Sequence, residues 1–249
     1  MRPPTALAKR LIGNLFWRGS PAVRRHAADQ VVRGLEEITY RRLAERGFRP
    51  GAMIDVGAYE GNWTLLANEV FGPTPTLMVE AQAAKVPLLN RLIGDHPQLR
   101  LASAALSDTA GQELTFYEME TGSSLMAEQS NAPRTSTTLV TRTLDEVAAE
   151  ALPDARDLFV KIDVQGAELQ VLRGGTATLA RCELVQLEVA LLQYNQGAPL
   201  MADVIAFMAE RGFLAIEISG MSRPRDVLVQ IDLLFARDGS TLRPDHFTF

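Results

Sequence analysis

Four short apolar runs each carry a carboxylate at or near their end: Asp55 in 52–57, Glu80 in 76–80, Asp163 in 158–163 and Glu188 in 184–189. An acid at the carboxyl edge of a buried parallel strand faces the crevice where open α/β sheets bind ligands. Asp163 is the sharpest candidate for proton transfer or for placing a reacting group. Lys161 lies two residues earlier, on the same side of the strand. It can tune the charge of Asp163, or the two can form a buried pair that serves stability alone. Glu168 follows at the mouth of the next helix, where the dipole favours a carboxylate by roughly 0.3–1 kcal/mol. Glu188 interrupts an apolar strand, and a charge there is costly unless paired.

The first acid leads into a turn. Asp55-Val56-Gly57-Ala58-Tyr59-Glu60-Gly61 joins an apolar run to a segment, 62–71, that reads as a helix. A glycine here permits a tight turn and the close approach of a ligand. The helix that follows aims free N–H groups at that ligand. Glu80 comes 23 residues after Gly57. An acid about 20 residues past the glycine turn, ending the second strand, can accept hydrogen bonds from ribose hydroxyls.

Other chemistries find little support. The three histidines, His26, His96 and His246, stand in separate segments without ligand-like spacing, so no metal site is expected. Thr64, Ser103, Ser107 and Cys182 lack a nearby base pattern, so nucleophilic catalysis is not indicated.

The elements that must position these residues alternate. Strands are expected at 52–57, 76–80, 99–104, 158–163 and 184–189, and helices at 62–71, 82–93, 142–151, 167–172 and 201–211. Residues 113–118 read as extended, and 121–136 as a polar loop long enough to serve as an active-site lid. Strands at 213–218 and 227–236 close the chain with no helix between them. Repeated β-then-α units imply a mostly parallel sheet with helices on both faces, and the closing pair implies an antiparallel edge. Ahead of this, the chain reads as helical from about residue 21. A breaker cluster at 47–51 divides an N-terminal basic helical appendage, 1–49, from a main domain, 50–249.

Bulk properties narrow the function. The single cysteine excludes an internal disulfide framework and fits a reducing, cytoplasmic compartment. No apolar stretch reaches the roughly 20 residues that span a bilayer, and the N-terminus does not read as a signal peptide. Residues 1–49 hold eleven Lys/Arg against four Asp/Glu; with −5 overall, residues 50–249 carry −12. An acidic main domain argues against wrapping nucleic acid. The basic N-terminus can make peripheral contact with an anionic surface, or can simply be a solvated helical face.

Several stretches together resemble the FkbM family of S-adenosylmethionine-dependent methyltransferases. They are 54–61, Val79-Glu80, 104–108, Thr143-Leu144-Asp145, Val160-Lys161-Ile162-Asp163-Val164-Gln165-Gly166-Ala167-Glu168, Leu172 with Gly174, 186–188 and 230–235. The Lys161–Glu168 stretch is the most family-specific. Tyr59-Glu60 departs from the family, which more often has Asn and then a variable residue. The resemblance implies a class I, Rossmann-like methyltransferase fold with a seven-stranded sheet and an antiparallel last strand. It implies S-adenosyl-L-methionine as donor, held by Asp55, Gly57, Ala58, Tyr59, Gly61, Asn62, Glu80, Ala104 and Ala105. It further implies a hydroxyl acceptor on a sugar, glycan or related natural product; Asp163, Lys161 and Glu188, chosen by their strand positions, are the catalytic candidates. The residues alone reach only a nucleotide-type ligand at a first-turn glycine. Two other readings stand beside this one: a nicotinamide-dependent oxidoreductase, disfavoured by the lack of three-glycine spacing, and a non-catalytic adenosine-ligand-binding or scaffold protein.

Overall fold

The computed structural model describes residues 20–118, 122–126, 135–193 and 195–243. Two helices, α1 (Pro21–Arg33) and α2 (Leu35–Glu45), precede strand β1 (Ala52–Val56). The chain then runs α3 (Asn62–Phe71), β2 (Thr76–Glu80), α4 (Val86–Asp95) and β3 (Leu99–Ser103). A smaller group follows: β4 (Ala105–Leu106), β5 (Glu113–Glu118), β6 (Thr135–Arg142) and α5 (Leu144–Ala151). The second half holds β7 (Leu158–Ile162), α6 (Glu168–Arg173), α7 (Thr176–Leu179), β8 (Cys182–Ala190), α8 (Met201–Ala209), β9 (Phe213–Ser222) and β10 (Gln230–Arg237). Local chemistry sets several boundaries. Thr143 and Glu146 form a reciprocal capping box at the start of α5. Ser20 caps α1, and Pro21 occupies its first turn.

Seven strands form one sheet in the order β3-β2-β1-β7-β8-β10-β9. All pairs are parallel except those made by β10, which runs antiparallel to both β8 and β9. The seven-stranded sheet with an antiparallel last strand is therefore present. The antiparallel strand is not the edge, however: β10 inserts between β8 and β9, and β9 takes the edge. β9 and β10 pair as a hairpin joined through a single 3-10 turn at Pro224–Asp226, and the other edge of β10 pairs with β8.

Successive strand residues face opposite sides, and each side has its own core. Ala52, Ile54, Val56, Val160, Ile162, Val185 and Leu187 pack with residues of α5, α6 and α8. The opposite side carries Met53, Phe159, Leu184 and Leu234 against Trp63, Ala67 and Phe71 of α3 and Tyr40 and Leu43 of α2. There Tyr40 and Trp63 meet Phe159 edge-on, at 5.5 and 5.2 Å between ring centres. Such pairs contribute about 0.5–1.5 kcal/mol each beyond area burial. The N-terminal helix α2 thus shares a core with the sheet. Some N-terminal cations are used within the chain: Arg41 pairs with Glu37 and Glu69, and Arg49 donates to the carbonyls of Ala44 and Phe48.

The expected loop at 121–136 is shorter than its pattern suggests. Thr135 and Ser136 open β6, which pairs antiparallel with β5 and parallel with β4 in a three-stranded sheet. Of the rest, residues 122–126 are described; 121 and 127–134 lie outside the described residues. The short helix α7 also went unread, since two glycines precede it and it spans one turn.

Candidate functional site

On the α2/α3 side the sheet changes character along its strands. Phe159, Leu184 and Leu234 are apolar, but toward the carboxyl edge come Lys161 and Gln186, and then Asp163, Glu188 and Asp232. The register aligns Asp55 with Lys161, Lys161 with Gln186, and Glu188 with Asp232. One polar patch thus forms where four strands present same-face residues at one edge.

A cavity of about 220 Å³ opens beside this patch. Its wall includes Gly57, Ala58, Tyr59, Asn62, Glu80, Ala104, Ala105, Lys161 and Asp163, all of them expected site residues. Residues 123–125 close part of it. Gly61 and Asp55 lie behind the wall, and Glu188 lies beside it. Gly61 precedes α3 and packs on Leu92. Asp55 is fully buried: Thr64 Oγ1 donates to its Oδ2 at 2.7 Å, and Lys161 Nζ lies 3.4 Å from its Oδ1.

The glycine turn is built for more than ligand approach. Gly57 has φ +79°, and a Cβ there would lie 1.9 Å from the carbonyl oxygen of Asp163. The absent side chain lets the β1 turn press against the loop after β7. The first close approach at Gly57 is therefore between two chain segments. The turn is held by Gly57 and Ala58 N–H groups donating to Val79 O, at 2.9 and 3.1 Å.

Glu80 is 4% exposed, yet it lines the cavity. Its Oε2 accepts from Tyr59 N and its Oε1 from Gln82 N, both at 2.7 Å. Burial pushes its carboxyl up, while those two hydrogen bonds oppose the rise. Tyr59 adopts φ +49°, and its ring lies under Lys85 Nζ at 3.8 Å; Lys85 also pairs with Glu60 at 3.1 Å. Tyr59-Glu60, the departure from the family pattern, thus clamps the turn to the segment after β2.

Asp163 follows the last residue of β7, with its side chain 32% exposed. Lys161 Nζ lies 3.4 Å from its Oδ2, and Gln165 Nε2 donates to its Oδ1 at 2.9 Å. The same Gln165 nitrogen donates to Glu188 Oε2 at 2.6 Å. Burial lowers the proton affinity of Lys161, but Asp163 and Asp55 outweigh it and keep the ammonium charged. Glu188 is held well above the usual carboxylate range by burial and by the nearby Asp163, Asp232 and Glu168. Glu168 is pushed up to about 7, chiefly by burial, although Gly166 N and Val164 N donate to it. Asp232 is likewise pushed up to about 7 by burial and by Asp163 and Glu36. Among the described residues no group of three or more His, Cys, Asp or Glu is arranged to hold a metal ion.

Several contributors escaped the sequence reading. Tyr40 OH donates to Gln186 Oε1 at 2.5 Å and accepts from Trp63 Nε1 at 2.5 Å, while Gln186 Nε2 donates to Glu36 Oε1 at 2.9 Å. Helix α2 therefore hydrogen-bonds to the polar patch through Tyr40, and Glu36 of the same helix accepts from Gln186. Ser124 is buried, and its Oγ lies within reach of the carbonyls of Val164 and Gln165, at 3.1 and 2.9 Å. Asp232 was the most legible of these, as a charge inside an apolar strand.

The strand order, with β10 antiparallel to both its neighbours, is that of the class I, Rossmann-like methyltransferase fold. The profile of the Methyltransferase FkbM domain matches residues 55–215, and the chain belongs to that family. It is an S-adenosylmethionine-dependent methyltransferase, which sets aside the oxidoreductase and scaffold readings. No curated protein sequence matches it. Among solved structures it is similar to magnesium protoporphyrin IX methyltransferase from Synechocystis PCC 6803 with bound SAM, at 11% identity and TM-score 0.48, covering 91% of each chain. It is also similar to 1,6-didemethyltoxoflavin-N1-methyltransferase from Burkholderia thailandensis, at 11% identity and TM-score 0.45, covering 96% of this chain and 93% of that one. A third is precorrin-6y C5,15-methyltransferase from Geobacter metallireducens GS-15, at 11% identity and TM-score 0.43, covering 81% and 87%. Among the described residues no helix is long and apolar enough to cross a membrane.

Proposed function

We propose that the cavity holds the methyl donor and that the enzyme is an O-methyltransferase acting on a hydroxyl of a sugar, glycan or related natural product. The donor set fits S-adenosylmethionine. Each Glu80 oxygen spends one lone pair on a backbone N–H and keeps capacity for a ribose hydroxyl. Ala104 and Ala105 offer a small apolar wall for the base, and the α3 N-terminus at Asn62 offers free N–H groups for a carboxylate. When bound, S-adenosylmethionine supplies an electrophilic methyl group.

The observation that carries the O-linked reading is Asp163, a charged-partnered acid in the cavity wall with a third of its side chain open. An alcohol is a weak nucleophile until its proton leaves. Asp163 takes that proton or orients the hydroxyl, for roughly a 100- to 10,000-fold gain. Lys161 Nζ sits 3.4 Å from that carboxylate, and Asp55 in turn holds Lys161. Enclosure of both reactants supplies the larger share, about 7–11 kcal/mol in well-aligned cases. Profiling sugar and glycan pools with isotope-labelled S-adenosylmethionine tests the proposal. Methyl ethers on hydroxyl acceptors are expected; transfer confined to nitrogen or carbon acceptors overturns it.

A further inference from the structure

We propose that Gln165 is a positioning residue: its side-chain amide ties the Asp163 carboxylate to Glu188 and fixes Asp163 at the cavity wall in the orientation that meets an acceptor hydroxyl. This rests on the reading of Asp163 as the group that handles the acceptor proton.

The geometry carries the assignment. Both groups beside the Gln165 amide nitrogen are carboxyl oxygens, at 2.9 and 2.6 Å, so the nitrogen, with its two protons, must face them. Asp163, just past β7, and Glu188 on β8, which also hydrogen-bond to each other, are thereby bridged by one nitrogen. Asp163 is then held at both oxygens, Oδ1 by Gln165 and Oδ2 by Lys161. A carboxylate fixed at two points cannot swing away from the cavity.

The backbone is arranged to deliver this side chain. Gln165 has φ +55°, a conformation that non-glycine residues rarely adopt and that persists where surroundings enforce it. Its carbonyl accepts from Asn195 Nδ2 at 2.5 Å and from Ser124 Oγ at 2.9 Å. Gly166, next in the chain, has φ +104°, and a Cβ there would lie 2.8 Å from Ala198 Cβ and 3.2 Å from Met126 Sδ. Segments from before β6 and after β8 thus converge on one dipeptide. The unusual backbone aims the amide into the gap between the two acids. Gln165 lies in the most family-specific stretch of the sequence, but its spacing alone gives it no role.

The charged groups facing this pair are Lys161 on β7, Glu168 on α6 and Asp232 on β10, with Asp55 behind Lys161. Removing the amide deletes the hydrogen bonds donated to Asp163 and Glu188 and leaves those neighbours in place. The full chain saturated with S-adenosylhomocysteine serves for the test. Side-chain carboxyl carbon-13 shifts are recorded at one fixed pH in wild type, Gln165→Met and Gln165→Ala, with Asp163→Asn and Glu188→Gln assigning the two signals. In both Gln165 variants the Asp163 and Glu188 signals move. Turnover of labelled S-adenosylmethionine falls about tenfold or more, with donor affinity unchanged. Unmoved carboxyl signals or unchanged turnover in folded variants overturn the proposal. Should neither variant fold, the wild-type Gln165 side-chain amide signals decide it: they shift in Asp163→Asn and in Glu188→Gln if the bridge exists, and an amide indifferent to both overturns the assignment. Failure of the underlying reading looks different, because Asp163→Asn would then keep full turnover whatever the Gln165 variants show.

Discussion

Replacing Glu80 separates two jobs done by one carboxylate. Its oxygens already accept from Tyr59 N and Gln82 N at 2.7 Å, in a side chain 4% exposed. Glu80→Ala leaves both donors without that partner, and a buried unsatisfied donor costs about 1–3 kcal/mol. The apo protein should therefore lose roughly 2–6 kcal/mol before any donor is considered. Relief of a buried carboxyl that desolvation already disfavours offsets part of this. The ribose contacts come on top. One hydrogen bond to a charged group contributes about 1.5–3 kcal/mol, so losing one weakens donor binding by roughly 10- to 150-fold. Glu80→Gln keeps one acceptor but turns an NH2 toward the other backbone N–H. It should lose stability too, yet retain more affinity than the alanine variant. Calorimetric titration with S-adenosylhomocysteine, run at a temperature where melting curves show each variant folded, reads the two effects separately. Unchanged affinity in folded Glu80→Ala would refute the ribose assignment, and an unchanged melting temperature would refute the account of the turn.

Three further outcomes follow from the same geometry. Tyr40→Phe strands Trp63 Nε1 and Gln186 Oε1 in a buried network, costing roughly 1–3 kcal/mol; melting should fall by about 2–4 °C per kcal/mol, and an unchanged melting temperature would show that α2 does not brace the sheet. Glu168 and Asp232, both pushed up to about 7 from ordinary values of 4.5 and 3.8, bind protons more tightly when folded. Their contribution is therefore full below about pH 4 and lost as pH rises through about 7. Wild type should outlast Glu168→Gln by more at pH 5 than at pH 8, and a difference in melting temperature that is flat across pH contradicts this. Ser124→Ala should speed hydrogen exchange at residues 124–126, where Met126 N donates to Ser124 Oγ; unaltered exchange would mean that the serine does not seat this segment.

Much of the site was legible because its signals are local. The glycine turn, the acid ending β2 and the Lys161–Asp163 pair lie within short windows, where period-two alternation and strand ends speak directly. The sheet followed from repeated β-then-α units. What escaped depends on pairing across long stretches of chain. Tyr40 and Gln186 meet although 146 residues separate them, so no window around either one shows the bond. β6 is largely exposed and rich in Thr and Ser, so no apolar alternation marks it, and only its first two residues fall in the stretch that reads as loop. The place of β10 depends on pairing with β8 on one side and β9 on the other. Gln165 was hidden for another reason: its role comes from a positive φ enforced by Asn195 and Ser124, and sequence carries no mark of that.

The measurement that bears most directly on the account is Asp163→Asn, with turnover and donor affinity read side by side. Asp163 stands at the cavity wall, in contact with Lys161 and Gln165, while Glu80 and the Gly57 turn make up a separate part of the same wall. Turnover with labelled S-adenosylmethionine and a hydroxyl acceptor found by profiling should fall about 100-fold or more, while S-adenosylhomocysteine affinity stays within a few-fold of wild type. Full turnover in a folded Asp163→Asn protein, or an equal loss in donor affinity, would contradict the assignment.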